Sequence, residues 1–71
     1  MSQVADITVN GEPRGEAPVT LRQLVEAEGL DPDRRGLAVA RNGRVVPRRQ
    51  WDTTEIKTGD AIEIVKPFAG G

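Results

Sequence analysis

Near the start of the chain apolar positions recur at every second residue. Ala5, Ile7 and Val9 alternate with Asp6 and Thr8, a period of two that puts the apolar set on one face of a strand. Asn10-Gly11 follows, and the tolerance of both residues for positive φ predicts a tight hairpin turn. A short returning strand is expected around Arg14 to Ala17, limited in length by Pro13 and Pro18, because proline cannot donate to a ladder. The period then changes. In "VTLRQLVEAEGL", Leu21, Leu24 and Val25 share one face of a helix while Arg22, Gln23 and Glu26 point to water. Thr20 stands three residues before Gln23, the spacing of a capping box, with Val19 and Leu24 at the staple positions. Gly29 suits the left-handed residue that ends a helix, Leu30 can fold back on the last turn, and Pro32 prevents continuation. A helix of about two and a half turns does not persist alone. It must pack on a sheet.

Alternation returns in "GLAVARNGRVV". Leu37 and Val39 are interleaved with Ala38 and Ala40, Asn42-Gly43 supplies a second two-residue turn, Val45-Val46 return, and Pro47 ends the pairing. "PRRQWDTTEIKTGD" has little period and reads as a crossing segment anchored by Trp51 and Ile56, closing on a turn at Thr58-Gly59-Asp60. In "AIEIVK", Ile62 and Ile64 face inward, Glu63 faces out, and Val65 is free to cover the sheet edge or meet a partner. Two hairpins therefore flank one helix with an apolar stripe. The expected class is α+β, a mixed sheet of about five strands with the helix laid across one face. The first and last strands then lie side by side at the centre, and the C-terminus projects from the end of the sheet. One domain is expected at 1–66, followed by a flexible Gly-Gly tail at 67–71.

Composition narrows the chemistry. Seventy-one residues suffice for one small domain, with a thin core of Val, Ile and Leu, since Trp51 and Phe68 are the only aromatics. There is no cysteine, so no disulfide or thiolate nucleophile, which fits a reducing compartment. With no histidine either, the usual zinc ligands are missing and no metal is expected. No apolar run reaches the roughly 20 residues of a membrane span, and "MSQVADITVNG" lacks a signal pattern. A cytoplasmic protein with no membrane partner is expected. Net charge is only −1 but uneven. Up to Asp33 there are seven acids against Arg14 and Arg22, whereas Arg34 to Arg49 holds six arginines and no acid. The basic block is read as a solvated face for a protein partner and not as a nucleic-acid footprint, because the charge is slightly negative and stacking aromatics are scarce. Within it, Arg41 and Arg44 are expected to be solvated turn residues, and Arg48 and Arg49 are candidates to pair with an acidic partner. Without His, Cys or obvious paired acids, catalysis by this chain alone is not expected. The one special group left is the carboxylate expected at Gly71, ionised at cellular pH with an ordinary pKa near ~3.5.

With these elements in place the chain resembles the ubiquitin-like β-grasp fold, and several strings resemble the ThiS branch of the ThiS/MoaD sulfur carriers. They are "ITVNGE" at Ile7 to Glu12, "TLRQLVEAEGL" at Thr20 to Leu30, "AVARNGRVVPRRQW" at Ala38 to Trp51 and "IKTGDAIEIVKPFAGG" at Ile56 to Gly71. The resemblance implies a protein co-substrate and no enzyme. Its Gly71 carboxylate would attack the α-phosphate of ATP held by a ubiquitin-activating-enzyme-like adenylyltransferase (ThiF-like). A sulfur donor protein would then replace AMP to leave a thiocarboxylate. A thiazole synthase (ThiG-like) would take the sulfur for the thiazole ring of thiamin. No cofactor is bound by the chain itself; ATP belongs to the partner. Gly70 and Gly71 would thread a narrow channel where any Cβ clashes. Val65, Lys66, Phe68 and Ala69 would meet the partner; Trp51 is expected in the core first, on a docking surface second. Three other readings share these residues: a MoaD-like carrier for molybdopterin or another sulfur metabolite, a ubiquitin-like modifier of proteins, and a β-grasp interaction module with an inert tail.

Overall fold

In the computed structural model, which describes residues 6–15 and 18–66, the two alternating stretches and the helical one become a single layered unit. The elements are β1 (Ile7–Val9), β2 (Glu12–Arg14), α1 (Leu21–Ala27), β3 (Ala38–Arg41), β4 (Arg44–Val46), a 3-10 turn (Arg48–Gln50) and β5 (Ala61–Val65). They form one five-stranded sheet in the order β2-β1-β5-β3-β4. β1 and β5 run parallel, with Thr8 opposite Ala61 and Val9 opposite Ile62. The other neighbours are antiparallel. With α1 over one face this is the β-grasp arrangement, with the first and last strands adjacent inside the sheet.

Local chemistry explains most of the boundaries. Asn10 and Asn42 both take φ 53°, and Gly11 and Gly43 both take φ 83°, the consecutive positive values of a type I′ hairpin turn. At the helix start Thr20 Oγ1 accepts from the Gln23 N–H (3.3 Å), and Gln23 Oε1 accepts from the N–H groups of Thr20 (3.2 Å) and Val19 (3.0 Å). At the helix end Gly29, at φ 81°, donates to the Glu26 carbonyl, and Leu30 donates to the Val25 carbonyl. That pair of bonds is a Schellman motif.

The second strand differs from the expected Arg14–Ala17. A two-residue turn pairs Val9 directly with Glu12, so the return must begin at once. Pro13 sits opposite Thr8 on the edge strand β2. In the alternation of an antiparallel ladder that position points its missing N–H away from β1, where no bond is lost.

The core lies between α1 and the sheet. Leu21, Leu24 and Val25 of the helix meet Ile7, Val9, Leu37, Val39, Ile62 and Ile64 from below, and Trp51 closes the side. Leu30, Val46 and Ile56 pack on its margin. The crossing segment is tied to the helix by more than apolar contact. Helix N–H groups have no partner in their own first turn; here Leu21 donates to the Thr54 carbonyl and Arg22 to the Trp51 carbonyl, both at 3.1 Å. Thr20→Ala removes half of the capping box and is expected to lower the urea midpoint by the equivalent of about 1 kcal/mol with an unchanged slope; an unaltered midpoint would show that the cap contributes nothing to the folded state.

Candidate functional site

The chain leaves the sheet from its middle strand. β5 has β1 on one side and β3 on the other, so Val65 and Lys66 emerge at the end where β1 finishes and β3 begins. The register places Ala38 opposite Val65. Two side chains hold this strand. Beyond the β1–β5 pairs, the Asn10 N–H donates to the Ile62 carbonyl at 2.8 Å. The Asn10 side chain then continues the ladder: its Oδ1 accepts the Ile64 N–H at 2.8 Å and its Nδ2 donates to the Ile64 carbonyl at 3.3 Å. An amide side chain has the same donor and acceptor as a peptide group, so it substitutes for one more residue of β1 just before the exit.

Asn42 holds β5 at its other end, from the β3 side. Its N–H donates to the Ala61 carbonyl at 2.7 Å, its Oδ1 accepts the Ala61 N–H at 2.8 Å, and its Nδ2 donates to Asp60 Oδ1 at 3.0 Å. Asp60 is the one buried charged residue among the described residues, at 6% exposed. Its Oδ2 accepts from Arg41 Nε at 2.9 Å and from the Lys57 N–H at 2.8 Å. Burial by itself raises the pKa of this carboxyl. The Lys57 amide, the Asn42 amide and the Arg41 guanidinium outweigh that and hold it below the ordinary carboxylate value.

The face of β5 turned away from the helix is open. Ile62 and Ile64 are buried, whereas Ala61, Glu63 and Val65 are exposed. Val65 lies beside Ala38, Glu63 beside Ala40, and Ala40 beside Val45. Val45 is 70% exposed and Val65 61%. Ala38, Ala40, Val45 and Val65 thus make a shallow apolar strip around Glu63 that reaches the exit. Val65 and Lys66 were legible as surface candidates from the sequence. Ala38, Ala40 and Val45 were not singled out, although the Asn42-Gly43 turn pairs Ala40 with Val45 and so puts both out of phase with Leu37 and Val39. Phe68, Ala69, Gly70 and Gly71 lie outside the described residues.

One expectation is met and two change. Trp51 is 2% exposed and donates from Nε1 to the Val46 carbonyl at 2.9 Å, so it is core and forms no part of a docking surface. Arg41 is no solvated turn residue but the partner of Asp60. Arg48 donates to the carbonyls of Pro32, Arg34 and Leu37 and lies 4.9 Å from the Trp51 ring centroid, so its charge is already engaged. At the end of the sheet away from the exit, a cavity of about 330 Å³ is lined in part by Ile7, Pro13, Arg14 and Asp60. Arg14 is held there by Glu28 at 3.2 Å and Asp60 by its own network, so neither is a poised catalytic group. Among the described residues no cluster of acids is arranged to hold a metal ion, and no helix is long and apolar enough to cross a membrane.

Known proteins share this arrangement. The ThiS family model matches residues 7–71. The sulfur carrier protein ThiS of Escherichia coli is 38% identical over 52 residues, covering 73% of this chain and 76% of that one. A thiazole synthase of Paramagnetospirillum magneticum is 35% identical over 66 residues, which is 92% of this chain but 20% of the synthase; the chain spans about a fifth of that relative's length. Two structures of a thiamine biosynthesis protein (ThiS) from Geobacter metallireducens superpose at 30% identity over 93% of this chain. The crystal structure gives a TM-score of 0.74 over 99% of its chain, and the solution structure 0.76 over 87%.

Two consequences follow from the clamps on β5. A carboxyl whose pKa falls on folding stabilises the fold above its unfolded value and loses that contribution as pH drops through the folded value. Wild type is therefore expected to destabilise on acidification below about pH 4 more steeply than Asp60→Asn, followed by urea melts across pH; parallel curves would remove Asp60 from the acid limb. Asn10→Ala is expected to speed amide hydrogen exchange at Ile64 by about tenfold while leaving Ala61 unchanged, since Asn42 guards that end.

Proposed function

The chain belongs to the ThiS family, and from that premise we propose that it is a sulfur carrier of thiamine biosynthesis whose terminal glycine is the group that is loaded. The observation that carries the reading is the extent of the family match, which runs through Gly70 and Gly71 to the last residue. The geometry is compatible with it: a rigid domain holds the root of residues 67–71 at the centre of its sheet. Of the groups described above, the buried titratable ones are engaged in structural bonds, so the domain acts as a handle.

The chemistry then belongs to Gly71. A carboxylate oxygen attacks the α-phosphorus of ATP on a ubiquitin-activating-enzyme-like adenylyltransferase, and pyrophosphate leaves. The acyl adenylate has an electrophilic carbonyl; sulfide attacks it and AMP leaves, giving the thiocarboxylate. Where the donor is a protein persulfide, a thiol afterwards cleaves the S–S bond and is itself oxidised to a disulfide. The thiocarboxylate sulfur is the nucleophile delivered to the acceptor. A thiazole synthase is the favoured acceptor, because a protein of that name contains a stretch 35% identical to this chain. A carrier-like segment in one chain with its acceptor meets it at a high effective concentration, an arrangement useful only if the two act together.

Val65 and Lys66, with Phe68 and Ala69 beyond them, lead from the apolar strip of Ala38, Ala40 and Val45 to the reacting end and form the contact with the adenylyltransferase. Gly70 and Gly71 pass its channel, where the lack of a Cβ permits backbone turns closed to other residues. Gly70→Ala and Gly71→Ala are each expected to leave the melting temperature unchanged and to lower kcat/KM for adenylation by about tenfold or more, since small displacements of a reacting group are costly. Intact-mass analysis after incubation with ATP, the adenylyltransferase and a sulfur donor should show one oxygen replaced by sulfur. Adducts to protein lysines without that exchange would replace the carrier with a modifier.

A further inference from the structure

The cations of this chain divide into two groups. Arg14 meets Glu12 and Glu28, Arg22 meets Glu26, Asp33 and Asp52, Arg41 meets Asp60, and Lys57 meets Glu55. Among the described residues no carboxylate ion-pairs with Arg34, Arg35, Arg44, Arg48, Arg49 or Lys66. All of these except Arg44 belong to the exit end of the sheet. Lys66 follows β5 directly. Arg34 and Arg35 precede Ala38, which lies opposite Val65. Arg49 is in the 3-10 turn after β4, whose last residue, Val46, lies opposite Val39.

Arg48 makes this grouping rigid. Its guanidinium takes the carbonyls of Pro32, Arg34 and Leu37, stapling the loop before β3 to the turn after β4. Arg34, Arg35 and Arg49 are thereby gathered around the Arg48 guanidinium and remain exposed, as does Lys66. Among the described residues, none of the nearby acids is seen to ion-pair with these cations. Asp33 and Asp52 face Arg22 at 3.7 and 3.6 Å, and Asp31 Oδ1 accepts the Asp33 N–H. Like charges gathered without counter-charges repel one another, and an incoming anionic surface would relieve this.

We propose that Arg34, Arg35, Arg49 and Lys66 form a cationic collar around the root of residues 67–71 that docks on an acidic rim surrounding the channel of the adenylating partner. This rests on the carrier reading. A protein surface is favoured over nucleic acid because the collar adjoins the apolar strip of Ala38, Ala40, Val45 and Val65, because Trp51 is buried and cannot stack on bases, and because net charge is −1. The collar acts on encounter. Rim charges steer association over a Debye length of about 8 Å at physiological salt and change on-rates more than chemistry.

The test compares Arg34→Glu, Arg35→Glu and Arg49→Glu, singly and combined, with Arg44→Glu, which carries the same charge change to the far end of the sheet. None of these side chains has a described hydrogen bond, so the fold is left intact. In steady-state adenylation the combined variant is expected to raise KM for the carrier by about tenfold or more at low salt, with kcat and KM for ATP within about twofold. The gap should close between about 0.05 and about 0.5 M salt, and Arg44→Glu should match wild type. Normal charging of wild type with collar variants equal to Arg44→Glu overturns the collar and spares the carrier. No charging of wild type removes both. A raised KM for ATP would assign the collar to the nucleotide, and salt-sensitive retention on DNA lost in the variants would assign it to nucleic acid; either overturns the proposal.

Discussion

Everything in this fold depends on how β5 is held. It has a parallel neighbour, β1, on one side and an antiparallel neighbour, β3, on the other, and no short turn connects it to either. Parallel pairing has to be made across nearly the whole chain. The β1–β5 ladder itself is only two residue pairs long. Asn10 lengthens it toward the exit with its side-chain amide, which meets both the N–H and the C=O of Ile64. At the other end Asn42 continues the β3–β5 ladder, meeting the C=O of Ala61 with its backbone N–H and the N–H of Ala61 with its side-chain oxygen. The two turns that close the hairpins are therefore also the clasps that fix the strand between them.

That constraint gives the strand two different faces. Toward α1, Ile62 and Ile64 complete the core with Leu21, Leu24, Val25 and Trp51, and burial of such side chains is the main favourable contribution to a domain this small. Away from α1, Ala61, Glu63 and Val65 are left uncovered. The same alternation that builds the core thus delivers an open apolar strip to the point where the chain leaves the sheet. On the proposed reading this division is useful to a carrier, because the described domain need only be structural while the group proposed to react belongs to Gly71.

Charge follows the same geometry. The arginine-rich block looked uniform along the chain, yet its members have three distinct fates. Arg41 neutralises the buried Asp60, which in turn orders the turn leading into β5. Arg48 satisfies three loop carbonyls and covers Trp51. The others remain in solvent, and all but Arg44 collect at the exit. A polar group below the surface must be paired, so the arginines that reach inward are structural by necessity, and only the remainder is available to a partner.

The sequence alone determined the elements whose causes are local. Alternation marked β1, β3 and β5, and Asn10-Gly11 and Asn42-Gly43 marked the turns. Thr20 with Gln23 marked the helix start, and Gly29 its end; each depends on residues no more than about four apart. Fold class and family followed because those elements come in a recognisable order. Tertiary structure decided the rest. Asn10 reaches Ile64 across 54 positions, and Arg41, Asn42 and Arg48 reach their partners across 19, 18 and 16. No local rule states which amide will continue a ladder, or which arginine will find a buried carboxylate. Those choices exist only once the strands have closed and the unpaired groups left inside must find partners.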